Sequence, residues 1–372
     1  MKVLMLSTDK NILQSGTEVH ERMKEYANLI EELHVVVYGR QRIAESRITA
    51  NFFIYSTVNS HKIGYFRSAY NIGQKILADG GEWIITAQDP FETGLVGYWL
   101  KKRFKTPLQL QIHTDFLSPY FWQESVKNKI RVLLAKWLVK KADCIRVVSE
   151  RIKGSLISQF PNFPISRIIV LPIFIDVDKI RTASVKTDLR KKYPGYDFII
   201  LMASRLTKEK NIKMAIASFE NAKHQMSPVK NPLLLIVGDG PKKRRLDPLV
   251  VRYSLGNNVK FEPWTDDLAS YYKTADLFLL TSNYEGYGRT IIEALAADCP
   301  VISTDVGIAK EFIDGNHFGI IIAPNDMRAL VGGLQKMAGH KERYHEFKNI
   351  RLPDKNTYLD LLKRTWLKCD GN

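Results

Sequence analysis

The stretch that most constrains this chain is Thr281 to Gly307, TSNYEGYGRTIIEALAADCPVISTDVG, with the apolar run Leu277 to Leu280 before it. A short buried strand leads into a polar loop that holds Gly286 and Gly288. Ile291, Ile292, Leu295 and Ala296 then recur at helical spacing, and Pro300 ends the helix because proline disfavours the α region for its predecessor. Val301-Ile302 opens a second strand. The stretch reads as a loop, then a helix, then a buried strand.

A glycine loop running into a helix N-terminus is an anion site, because the first N–H groups lack intrahelical partners and the helix dipole adds positive charge. Gly286 and Gly288 let backbone approach a ligand, Tyr287 and Thr290 share the same turn, and Arg289 adds a cation. A phosphate or diphosphate suits that loop. Glu285 and Glu293 would repel a bare phosphate. They fit a ligand that also carries hydroxyls, as a nucleotide-sugar does, with Glu293 accepting from the ribose and Glu285 reaching the sugar or the leaving side. Taken singly, each is also readable as a solvated glutamate beside an ordinary turn.

Glu285-Gly-Tyr-Gly-Arg-Thr-Ile-Ile-Glu293 resembles the E-x7-E motif of the retaining GT-B glycosyltransferases of family 4 (glycosyl transferases group 1), and Cys299 to Gly307 extends the match. The resemblance implies two Rossmann-like domains with parallel sheets facing an interdomain cleft. Residues 1–176 would bind acceptor, residues 177–355 would bind the nucleotide-sugar donor, and a helix in 356–372 would cross back to the first domain. Ser204-Arg205-Leu206-Thr-Lys-Glu-Lys210-Asn211 looks like the family's G-R-L-x-x-x-K-G element, with Ser204 and Asn211 in place of its glycines. Arg205 and Lys210 would then neutralise the donor diphosphate. Gly16, followed by Thr17 as a hydroxyl donor, matches a glycine that approaches the diphosphate from the first domain; many relatives carry two glycines there and this chain has one. His113 matches a histidine near donor sugar and acceptor. The implied catalytic set is therefore His113, Glu285, Arg205 and Lys210. No residue pair reads as the nucleophile and acid of a double displacement, so the implied reaction is a front-face transfer that keeps the anomeric configuration and uses neither metal nor cofactor.

Read without the resemblance, the first half says less. Lys2 to Leu6 is a strand, and the loop to Gly16 and Thr17 leads into a helix, but G-x-G-x-x-G is absent and a dinucleotide site is not indicated. Asp89 reads equally as a helix cap or an acceptor contact. His113 and Asp115, at the end of the strand Leu108 to Ile112, suit proton handling or hydroxyl binding, with a capped surface turn as the plain alternative. Asp176-Val-Asp178 has the form of a metal signature, but in the resemblance it stands where the family crosses between domains, so it reads as linker. In the second half, the resemblance implies that Glu262-Pro263-Trp264 stands near the nucleotide base.

A chain of 372 residues exceeds one ordinary core and fits two α/β domains. Its net charge of +16 asks for an anionic partner. Zinc-ligand spacing and RNA-binding motifs are absent, so nucleic acid is disfavoured against a phosphorylated substrate or an anionic membrane. Phe116, Tyr120, Phe121 and Trp122 precede a helix with Val126, Ile130, Leu133, Leu134, Trp137 and Leu138 on one face, flanked by Lys127, Lys129, Arg131, Lys136 and Lys140. Such a helix suits interfacial membrane contact, or a sheet-packed helix with solvated lysines. Met1 to Ser7 reads as a strand rather than a signal peptide, and no apolar run reaches the ~18 residues of a membrane span. Three cysteines, far apart in sequence, point to a reducing cytosol. The reading is a cytoplasmic enzyme at the inner membrane face, moving sugar from a nucleotide-sugar to a glycan or lipid-linked acceptor in polysaccharide or glycolipid synthesis. A GT-B nucleotide-sugar epimerase and a non-catalytic binding subunit are the alternatives.

Overall fold

The computed structural model describes residues 1–39, 46–58, 62–313, 319–338 and 352–369. By internal contacts the chain divides into two units. Unit 1 comprises Met1–Leu117, Ser125–Pro172 and Pro353–Asn372; unit 2 comprises Ser118–Glu124 and Ile173–Leu352.

The strands of unit 1 are β1 (Lys2–Ser7), β2 (Glu32–Val37), β3 (Ser46–Arg47), β4 (Phe52–Ser56), β5 (Trp83–Ala87), β6 (Leu108–Ile112), β7 (Cys144–Val147) and β8 (Ile168–Val170). They lie in the order β3-β4-β2-β1-β5-β6-β7-β8, parallel except for β3 with β4. Its helices are α1 (Glu18–Ala27), α2 (Lys62–Ala78), α3 (Glu92–Phe104), α5 (Val126–Val139), α6 (Glu150–Gln159) and, from the far end of the chain, α15 (Lys355–Leu367). The intervening α4 (Pro119–Glu124) belongs to unit 2. The sequence pattern passes from β2 straight to β5 and misses β4 and α2. Glycines at 64 and 73 dilute the helical signal of α2, and Gly73 is needed because a Cβ there would meet the Leu100 side chain at 2.6 Å.

Two expectations are corrected here. Cys144 and Cys369 are 225 residues apart in sequence yet joined as a disulfide, with Cα atoms 5.2 Å apart. Helix α15 carries Cys369 back onto β7, so distance along the chain says nothing about distance in space, and the cysteines lend no support to a reducing compartment. Cys299 is a buried cysteine outside that disulfide. The second correction concerns α5. Its core face is Asn128, Val132, Ala135, Leu138 and Val139, whereas Val126, Ile130, Leu133 and Trp137 are exposed. Two residues of helix turn the direction by about 200°, so these are opposite faces of one helix. Of the aromatic lead-in, Phe116 and Phe121 are buried and only Trp122 counts among the exposed large hydrophobics.

Unit 2 is built on β9 (Phe198–Ala203), β10 (Pro232–Val237), β11 (Val259–Glu262), β12 (Leu277–Leu280), β13 (Val301–Thr304) and β14 (Gly319–Ile322). Their order is β11-β10-β9-β12-β13-β14, all parallel. Besides α4, its helices are α7 (Val177–Thr182), α8 (Leu189–Lys192), α9 (Ile212–Ala222), α10 (Lys243–Arg252), α11 (Leu268–Thr274), α12 (Arg289–Ala296), α13 (Ala309–Phe312) and α14 (Met327–Ala338). The core packs Ile200 and Met202 of β9, Leu234 and Ile236 of β10 and Leu277 of β12 against Ile216, Phe219, Leu330 and Leu334 of α9 and α14. Asp176, read as part of a linker, caps α7 by accepting from the Lys179 amide at 2.9 Å; Asp178 is almost fully exposed and pairs with Arg181 at 3.6 Å.

Candidate functional site

In unit 2 the strand order reverses between β9 and β12, because β10 and β11 continue to one side and β13 and β14 to the other. Loops that leave such a switch point at the carboxyl ends of the strands diverge and leave room for a ligand. The loop after β9 carries Arg205, Glu209 and Lys210; the loop after β12 carries Ser282, Glu285 and Gly288. Lys210 Nζ donates to Glu285 Oε1 at 2.6 Å, and Ser282 Oγ donates to the same oxygen at 2.7 Å. Both charged side chains are about one-seventh exposed, at 15% and 14%. Cation and carboxylate thus form one half-buried unit, where the sequence reading sent Lys210 to the diphosphate and Glu285 to the sugar.

The two loops are also laced through the backbone. The Asn283 amide donates to the Glu209 carbonyl at 2.7 Å, and Thr281 Oγ1 donates to the Lys210 carbonyl at 2.9 Å. Glu209 Oε1 accepts from Thr207 at 2.6 Å and lies 3.8 Å from Arg205, whose side chain is 78% exposed. Gly288 caps α12 in the left-handed region, at φ 96°, without a capping side chain, and in the first turn the Ile291 amide donates to the Gly288 carbonyl at 2.9 Å. Gly307, at φ 52°, passes so close that a Cβ would stand 2.1 Å from the Tyr287 carbonyl. That carbonyl accepts from Ile308, and the Tyr287 side chain is buried, so Tyr287 can serve a ligand only through its backbone. Glu293 is held from two sides, by Arg289 at 3.2 Å and by the Tyr272 hydroxyl at 3.3 Å. Burial first, and the neighbouring carboxylate second, push the Tyr272 phenol up, so it stays a donor. Arg289 is paired with Glu293 rather than aimed alone at the loop.

Unit 2 also contains α4. Phe121 packs edge-on against Tyr284, ring centroids 5.4 Å apart, and the Tyr284 hydroxyl donates to Glu124. Glu262 is bound by Lys192 at 2.7 Å and by Tyr271 at 2.6 Å, while Trp264 is half exposed. Among the described residues no group of three His, Cys, Asp or Glu is arranged to hold a metal ion.

In unit 1 the strand order reverses between β1 and β5, and Ser7 donates across that point to Gln88 at 2.5 Å. Gly16, at φ 81°, lies in the loop after β1 with open space where a Cβ would stand. Thr17 caps α1 through its hydroxyl oxygen, and its proton goes to the Asn11 or Gln14 carbonyl at 2.7 or 3.0 Å. Its hydroxyl is therefore committed within its own loop. Asp89 acts as a cap, accepting from the amides of Phe91 and Thr93 at 2.8 and 3.1 Å. His113 follows β6, and a chain of side chains fixes its tautomer. Gln111 Nε2 donates to Thr86 at 2.7 Å, and Thr86 donates to Gln109 Oε1 at 3.0 Å. Gln109 Nε2 in turn donates to the Thr365 carbonyl of α15 at 2.9 Å. This turns the Gln111 oxygen toward His113, whose Nε2 must donate to it at 3.0 Å, leaving Nδ1 as an acceptor. Burial, with Arg146 and Arg22 adding to it, lowers the His113 pKa to about 3, so the ring is neutral. Arg146 is itself buried; it donates to Gln111 and to the Tyr358 hydroxyl.

Sequence reasoning missed Glu209, Ser282, Tyr272 and the Gln109-Gln111-Arg146 set. The last left a trace: Leu-Gln-Leu-Gln-Ile alternates polar and apolar residues on a fully buried strand, and its neighbours β5 and β7 add Thr86 and Arg146.

Two largely parallel sheets, each with polar loops at a strand-order switch, define a doubly wound α/β protein with room for a ligand at each switch point. Comparison narrows this. The model of the family described as Glycosyl transferases group 1 matches residues 185–351, and that of Glycosyltransferase Family 4 matches residues 17–179. The chain belongs to the group 1 glycosyltransferases, with the GT-B fold. An uncharacterized glycosyltransferase of Methanocaldococcus jannaschii is 30% identical over 60% of this chain and 55% of its own length. The alpha-monoglucosyldiacylglycerol synthase of Streptococcus pneumoniae is 28% identical over 69% of this chain and 58% of its own. The chain thus spans little more than half the length of these two relatives. In solved structures, sucrose-phosphate synthase from Thermosynechococcus elongatus superposes with a TM-score of 0.74 at 18% identity, over 99% of this chain and 95% of that one.

Proposed function

We propose that the chain moves a sugar from a nucleoside-diphosphate donor to a glycan or lipid-linked acceptor, keeping the anomeric configuration and using no metal. The observation that carries this is the Lys210–Glu285 pair at the switch point of unit 2. Breaking a glycosyl–phosphate bond leaves growing charge on the diphosphate, and a cation already positioned there stabilises it without reorganisation. Arg205, on the same loop and largely exposed, supplies a second cation. The amides that open α12 supply hydrogen bonds. Glu285 keeps its second oxygen for a sugar hydroxyl, and Glu293, held by Arg289 and Tyr272, is set for the ribose. His113 offers a neutral acceptor nitrogen, suited to a hydroxyl of the sugar or acceptor.

A lipid-linked acceptor is supported by the exposed stripe Val126, Ile130, Leu133 and Trp137 on α5, contiguous apolar surface of a kind that marks interaction sites. Lys129 and Lys136 lie on the same helix and Lys140 at its C-cap, which suits an anionic leaflet. Among the described residues no helix is long and apolar enough to cross a membrane. The name of the pneumococcal relative points the same way, since its product is a glucosylated diacylglycerol.

The test is a panel of nucleoside-diphosphate sugars screened by thermal shift, followed by transfer assays in which NMR reads the anomeric configuration of the product. Retention is expected from an α-linked donor. An inverted product rejects the retaining reaction, and sugar isomerisation without acceptor makes the protein an epimerase.

A further inference from the structure

Outside the sites above, unit 1 carries a cavity of about 660 Å³ between α2 and α3, lined by Phe66, Arg67, Tyr70, Trp99, Lys102 and Arg103. Its volume falls within the ~300–1,000 Å³ typical of small-molecule sites. The rings form its wall. Trp99 meets Phe66 and Tyr70, one turn apart on α2, with both centroid distances at 6.4 Å and tilted or edge-on geometry. Trp99 is 39% exposed, which is much for a tryptophan on the surface of a helical layer. Arg67, Lys102 and Arg103 stand at the rim, and none has an ion-pair partner among the described residues. The neighbouring cations Lys127 and Arg131, by contrast, are taken up by Glu92, at 3.6 and 2.6 Å. Toward α5, Tyr98 meets Trp137 edge to face, centroids 4.8 Å apart, so the aromatic surface runs on into the exposed stripe of α5.

We infer that this cavity binds one anionic glycerophospholipid, its acyl portion against Phe66, Tyr70 and Trp99 and its phosphate on Arg67, Lys102 and Arg103. Charge complementarity selects the occupant: a ligand that satisfies the site must be apolar at one end and anionic at the other. A purely apolar guest would leave three unneutralised cations beside it, and a free phosphate would leave the rings in water. Single-stranded nucleic acid, the rival for a basic aromatic surface, needs open ring faces on which bases stack. Here the rings of Phe66 and Tyr70 meet Trp99 edge-on or tilted, an open apolar hollow rather than a row of parallel faces. The lipid would be held as a docking ligand, not as a substrate, and the inference rests on the membrane-proximal reading above.

The experiment uses the full chain and lipids short enough to stay monomeric: dihexanoyl phosphatidylglycerol, dihexanoyl phosphatidylcholine and glycerol 3-phosphate, with a dT oligonucleotide as a fourth ligand. Calorimetry and tryptophan fluorescence read binding. Saturable one-to-one binding of the phosphatidylglycerol is expected, at least tenfold tighter than either of the other small ligands. A fluorescence change should be lost in Trp99→Phe, and affinity should fall at least tenfold in the exposed triple variant Arg67→Glu, Lys102→Glu, Arg103→Glu. Equal binding of the zwitterionic lipid or of glycerol 3-phosphate overturns the inference, as does an unchanged affinity in the triple variant. So does an oligonucleotide that binds tighter than the lipid. The double variant Ile130→Asp, Leu133→Asp on α5 separates the two readings. It should lose sedimentation with anionic vesicles and keep monomeric lipid. If the wild-type chain binds monomeric lipid but never sediments with vesicles, the membrane reading fails and the pocket stands. Sedimentation without monomeric binding leaves the membrane reading and removes the pocket.

Discussion

Lys210 Nζ lies 2.6 Å from Glu285 Oε1, and the two residues arrive from loops on either side of the point where the strand order of unit 2 reverses. A charge-assisted hydrogen bond of that length, between side chains mostly withdrawn from water, holds both loops in register before any ligand arrives. Lys210→Met should therefore lower kcat by about 10²–10³, the range found on removing one preorganised donor from a transition state. Near-normal turnover in a folded Lys210→Met, checked by circular dichroism, would exclude Lys210 from the leaving-group role.

Arg205 permits a cleaner separation of activity from stability. Its side chain is 78% exposed, so Arg205→Ala should change unfolding free energy by no more than about 0.5 kcal/mol. Turnover should nevertheless fall by about 2–4 kcal/mol of transition-state stabilisation. Denaturant melts and steady-state kinetics on the same preparation decide it, and equal losses in both would make Arg205 structural.

His113 should be silent to pH through the neutral range. Its folded pKa of about 3 lies below the ordinary 6.5, so the unfolded chain binds the extra proton between these values. The stability this group contributes is present above about pH 6.5 and is lost as pH falls toward 3. An NMR titration of the His113 ring from pH 5 to 8 should show no shift. Gln111→Glu puts a carboxylate against Nε2 and should raise the pKa, bringing an acid limb into the activity profile. A wild-type ring that titrates near 6.5 contradicts the neutral tautomer.

Metal independence is tested by chelation. With Lys210 and Arg205 assigned to the diphosphate, activity should survive exhaustive EDTA treatment. Loss of the chemical step, restored only by Mn²⁺ or Mg²⁺, would reassign that role to a metal.

The exposed stripe of α5 leads to a binding prediction. Wild-type protein should sediment with anionic vesicles at low salt and not with zwitterionic ones. Each Lys or Arg near such a surface contributes about 1 kcal/mol. The attachment should weaken at high salt and on replacing Ile130 and Leu133 by Asp, with unfolding midpoints unchanged. A protein that stays in the supernatant turns the stripe toward a different partner.

Local pattern determined much of this protein. The strand Leu277 to Leu280, the glycine loop, the stripe Ile291, Ile292, Leu295 and Ala296 and the stop at Pro300 are set by contacts between residues a few positions apart. They appear in the structure as β12, α12 and β13. The E-x7-E spacing carried the family with it. What only tertiary structure decided depends on residues far apart in the chain. The Lys210–Glu285 bond, the cap on Glu293 by Tyr272 and the line from His113 through Gln111, Thr86 and Gln109 to Thr365 join separate elements, and strand order alone makes them neighbours. The cysteines illustrate the same limit, since α15 returns Cys369 to Cys144 across 225 residues. On α5, periodicity identified an apolar face but not which side the sheet would cover. A helix apolar on two faces is ambiguous until it packs, and here the sheet took Val132, Ala135 and Val139 and left Ile130 and Leu133 to the outside.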